Sequence, residues 1–565
     1  MYFFDLKKGG NIMKYFLFDE FEREVDKDTT EILVSRPDGK TDTVKPFRNK
    51  LTEFTYDIEG YEHMVNKGET FCFRYAPVLH GEYKIYERRG NDVLKEYGFT
   101  VLCRDKHGFV RVSEKDRRYF AYTDSEPFMP IGINMAFPQS FAVSDGSEFG
   151  QSDNIAYIGL KQYETWFKKA SENGVNLVRI WCGHTYFSVD TNEAGVFHIE
   201  QFAKLDRIIA LAKKYGIKLK LTMEQFRNIK DDTDGSYIGK LFNKQVFFKG
   251  KKCESADEWL ENEVWQKAWF EKMEEYAKRY AYNDTIFAIE LWNEMNCFGT
   301  VFPDPEHLAR WNIKAAQKMH SIFPNHMIIN SLGSCDCDGA KKCYAEFPWD
   351  SFDFKQVHSY LDQGAKFAEL TNNSIEGLKK ICAEQMPSNM PLFIAETGAV
   401  NDCHSGPFRY YSSDDDGIIF ADCVYTPLFL GCACCGNIWH WDARYVESKN
   451  LYHMYKPLKR LTEGINFDEE SFIAADCSND KAYVLTLCGK KHDLYYIRNK
   501  SASWQNVLRD NGEISIIEEM KLKTMGKAEV IHIWQYEERI EQSGDTAVIH
   551  NLQKGIFVRV NKGDC

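Results

Sequence analysis

The chain has 565 residues, 44% hydrophobic, 27% charged and 15% aromatic, with a formal net charge of −13. At about 150 residues per unit, that length suggests three or four structural units. The acidic balance argues against a nucleic-acid partner, which needs basic surface, and no stretch reaches the roughly 20 apolar residues of a membrane helix.

The opening "MYFFDLKKGGNIMKYFLFDEFEREV" has only brief apolar patches, soon broken by acids. It lacks the sustained apolar region and small-residue cleavage site of a signal peptide, so a cytoplasmic protein is expected. Either Met1 or Met13 can serve as the start. The 17 cysteines are odd in number and follow no disulfide framework, which fits reduced thiols. The groups Cys335, Cys337, Cys343 and Cys432, Cys434, Cys435 lack the paired C-x-x-C spacing of a structural zinc site. They read as small buried hydrophobes, and neither metal nor cofactor is expected.

Residues 1–118 read as strands and turns, with "ETFCFRYAP" and "EYKIYERR" flanking "VLHG" as a hairpin, and "FTVLCRD" following. Helical spacing is scarce there, which predicts a β-sandwich. From residue 119 strands and helices alternate. "MPIGIN" (129–134) is followed by the helix "KQYETWFKKASENG", then "VNLVRIW" (175–181). The helix "EQFAKLDRIIALAKKYG" leads to "IKLKLTM" (217–223), and the long helix "WLENEVWQKAWFEKMEEYAKRY" to "TIFAIELW" (285–292). "HMIINSL" (326–332), "FDFKQVH" (352–358), "PLFIAE" (391–396) and "GNIWHW" (436–441) complete eight strands by residue 465. Eight strand–helix units predict a (β/α)8 TIM barrel; an open doubly wound sheet is the other architecture, but no G-x-G-x-x-G follows the first strand. Residues 466–565 return to alternating strands ("KAYVLTLCG", "DLYYIRN", "AEVIHIW", "GIFVRVN"), predicting a second β-sandwich. Either β-domain could bind carbohydrate or simply brace the barrel.

Such barrels carry their chemistry at the C-terminal strand ends. The first three strands end at Asn134, Arg179 and Glu224, and the fourth at Asn293 and Glu294. The sixth delivers His358 and Tyr360, the seventh Glu396, and the eighth Trp439 and Trp441. Two carboxylates at one mouth suit glycosidic-bond cleavage: one protonated to assist the leaving oxygen, one ionised to attack the anomeric carbon or activate water. In barrel order Arg179 is placed to favour the charged form of Glu396, and Tyr360 to donate a hydrogen bond to it. Trp439 and Trp441 share a strand face, so one could floor a sugar ring while the other packs beyond it, with Trp441 the preferred platform. Asn134 either lines the site or caps the first strand, and Glu224 either binds a sugar hydroxyl or pairs with Arg227. The long stretch 225–255 is expected to wall one side of the cleft.

The Trp-Asn-Glu ending the fourth strand and the glutamate ending the seventh resemble glycoside hydrolase clan A. "VNLVRIW", "QVHSY", "FIAETG" and the terminal tryptophan resemble most the cellulase- and mannanase-like proteins of family 5. "RRYFAYTDSEPFMPIGINMAF" is similar to the junction where an N-terminal sandwich enters such barrels. The resemblance implies a retaining mechanism with Glu294 as acid/base and Glu396 as nucleophile. It further implies that Asn293 meets the sugar 2-hydroxyl, while Arg179, His358 and Tyr360 support the nucleophile and the bound sugar. Glu224 departs from the histidine usual in that family at the end of the third strand. The expected partner is a β-linked oligo- or polysaccharide of glucose, mannose or galactose. A non-catalytic carbohydrate-binding protein and an inverting glycosidase are the alternatives, and oligomeric state stays open.

Overall fold

The computed structural model describes residues 13–104, 106–142, 155–191, 195–224, 255–299, 301–402 and 406–563. Residues 1–12, Arg227 and nearly all of the expected cleft wall at 225–255 lie outside them.

The middle of the chain is a run of parallel strands. Gly132–Asn134, Leu177–Trp181, Lys218–Thr222, Ile286–Glu290 and Met327–Ile329 form one sheet in that order, each hydrogen-bonded to the next in parallel. Lys355–His358 and Leu392–Glu396 form a second parallel pair. The segment at 436–441 is reduced to a single parallel bridge, Ile438 with Thr397, and its Ile438 carbonyl accepts from the Asn134 N–H at 3.3 Å. Helices Leu160–Glu172 and Phe202–Lys214 bury one apolar stripe each, including Trp166, Phe167, Leu205 and Ile209. That stripe is what a helix laid against a sheet requires.

The long helix expected before the fourth strand is broken in two, Ala256–Glu261 and Glu263–Tyr280. Asn262 stands between them in extended backbone, and its side chain accepts the Val264 N–H at 3.0 Å. An Asx side chain satisfies the first turn of a new helix better than it continues an old one.

The end of the parallel strands opposite the carboxylates is apolar. Phe120 packs edge-on against Phe287, Phe354 and Phe393 at 5.2, 5.5 and 5.6 Å between ring centroids. It sits in a small antiparallel sheet of Val110–Val112, Phe120–Tyr122 and Pro127–Phe128, which straddles residue 118.

The N-terminal strands form two sheets rather than the hairpin expected around "VLHG". Glu62–Tyr75 pairs with Phe21–Glu24 and Phe47–Tyr56, whereas Gly81–Arg89 pairs with Glu31–Ser35 and Asp92–Leu102. The connection therefore crosses from one layer to the other. The gain is burial: Phe73 and Tyr75 of one sheet meet Tyr83, Ile85 and Phe99 of the other in a shared core. The last 100 residues likewise form a five-stranded and a three-stranded antiparallel sheet, with Ile497, Ile549, Val558 and their neighbours packed together. Among the described residues no helix is long and apolar enough to cross a membrane.

Candidate active site

The site grows from charged residues placed inside buried strands. Arg179, Lys220 and Glu290 belong to neighbouring strands and none is exposed. A buried ion must find partners, and these find one another. Arg179 Nε donates to Glu290 Oε2 and Nη2 to Glu290 Oε1, both at 2.7 Å. Nη2 also donates to Asn293 Oδ1 at 2.7 Å. Nη1 donates to Asn134 Oδ1 at 3.3 Å and, in a shorter contact, to Glu396 Oε1. All five guanidinium N–H groups thus have an acceptor. Burial alone would lower the Arg179 pKa, but Glu290 and Glu396 outweigh it and raise it. Burial would raise the Glu290 carboxyl, yet Arg179 and Lys220 hold it down at about 2.

Glu294 sits where the fourth strand turns out of the sheet. Its backbone is left-handed, φ 51° and ψ 52°, a conformation that costs a non-glycine residue about 1–2 kcal/mol. Neighbouring strands pin the turn: the Asn293 N–H donates to the Glu224 carbonyl at 2.9 Å, and the Glu294 N–H to Ser331 Oγ at 3.0 Å. Strain held at a point like this marks a place where side-chain direction matters. The Glu294 side chain keeps 22% of its surface exposed, against 5% for Glu396.

Between the two carboxyl groups stands His358. Its Nδ1 is 2.7 Å from Glu294 Oε1 and 3.5 Å from Glu396 Oε2. One oxygen of each glutamate and one His358 nitrogen all lie within 4.8 Å of one another. Burial drives the His358 pKa down to about 4, with Glu396 opposing and Arg179 assisting. Burial also pushes Glu294 up to about 7; Arg179 works against that shift, while Asp336 and Glu290 add to it. Glu396 accepts from Arg179 and, at 2.6 Å, from the Tyr360 hydroxyl. Burial and the adjacent Glu396 charge raise the Tyr360 pKa well above that of a free phenol, so it acts as a donor. Glu294, His358 and Glu396 could also reach one cation, though the Arg179 charge on Glu396 weighs against it. The cysteines at 335, 343, 432, 434 and 435 are free and buried.

The structure gathers Glu294, Glu396, Asn293, Arg179, His358 and Tyr360 at one point and corrects two expectations, at Trp441 and Asn134. Trp441 is sealed, with no exposure, against Phe137 and Trp166. Trp439 is the partly open ring, 4.8 Å from the Trp181 ring. The two rings still meet edge to face at 5.3 Å, so the open ring packs over the sealed one, and the preferred platform is exchanged. Asn134 is fully buried and its Nδ2 faces the carbonyls of Ala395, Asn437 and Ile438, so it braces strands rather than contacting a ligand. Glu224 is buried and pairs with Lys272; the expected partner Arg227 lies outside the described residues. Lys272 also reaches Asp190 at 3.2 Å.

Strand-end reasoning from the sequence misses Glu290, Lys220 and Trp181. The signal is present: three strands, "VNLVRIW", "IKLKLTM" and "TIFAIELW", each carry a charge amid apolar residues. In strands buried on both faces such charges must pair within the sheet's interior. Asn293 is the reverse case. It gives Arg179 its carbonyl, and among the described residues its NH2 group makes no hydrogen bond, so a donor remains at the mouth.

Residues 142–416 match the family described as Cellulase (glycosyl hydrolase family 5). The chain is 26% identical over 309 residues to mannan endo-1,4-β-mannosidase F of Aspergillus clavatus, covering 47% of this chain and 66% of that one. It is 26% identical over 258 residues to mannan endo-1,4-β-mannosidase A of Emericella nidulans, covering 40% and 62%. The chain thus spans less than two thirds of either relative's length. Among solved structures, a glycoside hydrolase family 5 protein of Bacteroides vulgatus superposes with TM-score 0.52 at 14% identity, over 81% of this chain and 94% of that one. A second Bacteroides vulgatus protein superposes with TM-score 0.55 at 13% identity, over 97% and 99%. These likenesses in fold imply a TIM barrel for the parallel strands. Together with the match over residues 142–416, they make the chain similar to the glycoside hydrolases of family 5, in clan A.

Proposed function

We propose that the chain is a retaining β-glycoside hydrolase with Glu294 as acid/base and Glu396 as nucleophile. The observation that carries this is the trio of Glu294, His358 and Glu396, whose nearest polar atoms fall within 4.8 Å. That closeness favours the roughly 5–5.5 Å between the carboxyl groups of a retaining pair over the roughly 6.5–9.5 Å of an inverting pair, which must admit a water. The supporting electrostatics divide the two roles. Glu294, raised to about 7, holds a proton near neutrality, while Glu396 faces the Arg179 cation and the Tyr360 hydroxyl.

In the first step a Glu396 oxygen attacks the anomeric carbon as the glycosidic C–O bond breaks, and Glu294 gives its proton to the departing oxygen. In the second, ionised Glu294 takes a proton from water. The water oxygen attacks the anomeric carbon, Glu396 leaves, and net retention results. The Asn293 NH2 is placed to bind the 2-hydroxyl, and Trp439 to floor the sugar ring. The scaffold we infer is a closed eight-stranded barrel flanked by two β-sandwiches, with boundaries near residues 118 and 465. Because two of its relatives are named as mannan endo-1,4-β-mannosidases, β-mannosidic oligo- or polysaccharides are the first substrates to try, with glucosidic and galactosidic ones beside them.

The test is hydrolysis of β-1,4-linked manno- and cello-oligosaccharides by wild type and Glu396→Gln, with the configuration of the first-formed product read by NMR. Release of the β-anomer by wild type alone supports the reading. Equal release by both proteins would remove Glu396 from the reaction, and α-anomer would make the enzyme inverting.

A further inference from the structure

Glu290 touches no part of the cleft, yet it holds more of Arg179 than the nucleophile does. Its two oxygens take Nε and one N–H of Nη2, each at 2.7 Å. The other groups facing Glu290 come from the strand Lys218–Thr222 and from just beyond the strand Met327–Ile329. Thr222 Oγ1 donates to Oε2 at 2.8 Å, Lys220 Nζ stands 3.9 Å away, and Ser331 lies beside the carboxylate from the far side. Lys220 is in turn tied to Gln356 Oε1 at 2.8 Å. With its Nε edge gripped in this way, the planar guanidinium has one orientation left. Nη1 points at Glu396, and the second N–H of Nη2 points at Asn293. A planar fork held on two edges transmits that alignment to whatever meets the others.

We propose that Glu290 is a positioning residue: by clamping Arg179 it aims one guanidinium at both the nucleophile Glu396 and the 2-hydroxyl partner Asn293. This rests on reading Glu294 and Glu396 as the catalytic pair. The same clamp accounts for the strand-borne charges that the two-carboxylate chemistry leaves unused. Glu290 fixes Arg179, and Lys220 and Thr222 fix Glu290.

Glu290→Gln keeps the volume but turns one acceptor into an NH2 facing the guanidinium. The readouts are the rate of glycosyl-enzyme formation with an activated 2-deoxy-2-fluoro-β-mannoside, per folded molecule, and KM for an oligosaccharide. With the clamp lost, Arg179 turns from Glu396. The rate falls about 10- to 100-fold while KM changes little.

An unchanged rate per folded molecule would overturn the proposal, since a purely structural Glu290 lowers only the folded fraction. A raised KM with the rate unchanged would overturn it as well, because the change would then lie in sugar binding and not in the aim of Arg179. Thr222→Val, which removes a single neutral donor from Glu290, should lower the rate in the same way by less. If Glu290→Gln does not fold, the Thr222→Val result decides alone. Wild type that takes no label at Glu396 removes the functional reading and this inference together; wild type that labels beside an unaffected Glu290→Gln removes only the inference.

Discussion

His358 Nδ1 and Glu294 Oε1 are 2.7 Å apart, within hydrogen-bond distance. The imidazole is buried, which lowers its pKa to about 4, so near neutrality it is uncharged. It therefore gives Glu294 a hydrogen-bond partner without the cation that would strip its proton. Glu294 remains a carboxylic acid up to about pH 7, in the range where a general acid is most useful.

The pH profile should show this directly. Glu294 must be protonated for the first step, so activity on an unactivated β-glycoside should be full below about pH 7 and fall as pH rises through it. A substrate with a dinitrophenolate leaving group needs no proton, so the same limb should flatten. Initial rates on both substrates between pH 5 and pH 9 check the point, and an identical falling limb on both would take the acid role from Glu294.

The two tryptophans of "NIWHW" should separate cleanly. Trp439→Ala removes the partly open ring beside Trp181 and should raise KM for oligosaccharides while leaving the melting temperature nearly unchanged. Trp441→Ala opens a cavity in the sealed cluster of Phe137 and Trp166, at a cost of about 3–5 kcal/mol. Steady-state kinetics and thermal unfolding of both variants measure the contrast.

Much of this site is legible in the amino-acid sequence. Glu294, Glu396, Arg179, His358, Asn293 and Tyr360 sit at strand ends, and strand ends follow from the spacing of apolar runs. Other details lie beyond local pattern. Trp439 and Trp441 do meet, at 5.3 Å, but which of them opens to the mouth is set by packing of Trp441 on Phe137 and Trp166, which local pattern does not show. The hairpin expected at "VLHG" depends on the two strands sharing a sheet, whereas core formation between layers separates them. Glu290 escapes notice because it reads as one more residue of an apolar strand, although a charge in such a strand calls for a buried partner.

Glu224 should prove structural. Replacing it with Gln leaves Lys272 buried with Asp190 as its remaining partner at 3.2 Å. Breaking a buried pair from one side costs about 3 kcal/mol, so chemical denaturation should show a loss of that order. The activity of the folded fraction should hold within about twofold, a change of roughly 0.4 kcal/mol in barrier height. A stable variant with a large rise in KM would instead make Glu224 a sugar ligand.

The central claim is that Glu396 forms a bond to the sugar, and one measurement reaches it most directly. Intact-protein mass is followed after exposure to activated 2-deoxy-2-fluoro-β-glycosides of mannose, glucose and galactose, with peptide mapping of any adduct. A single-sugar adduct on Glu396, formed by wild type and absent from Glu396→Gln, is the predicted result, and the reactive glycoside names the preferred sugar. An adduct on another residue, or retained activity with no adduct from any of the three, would contradict it.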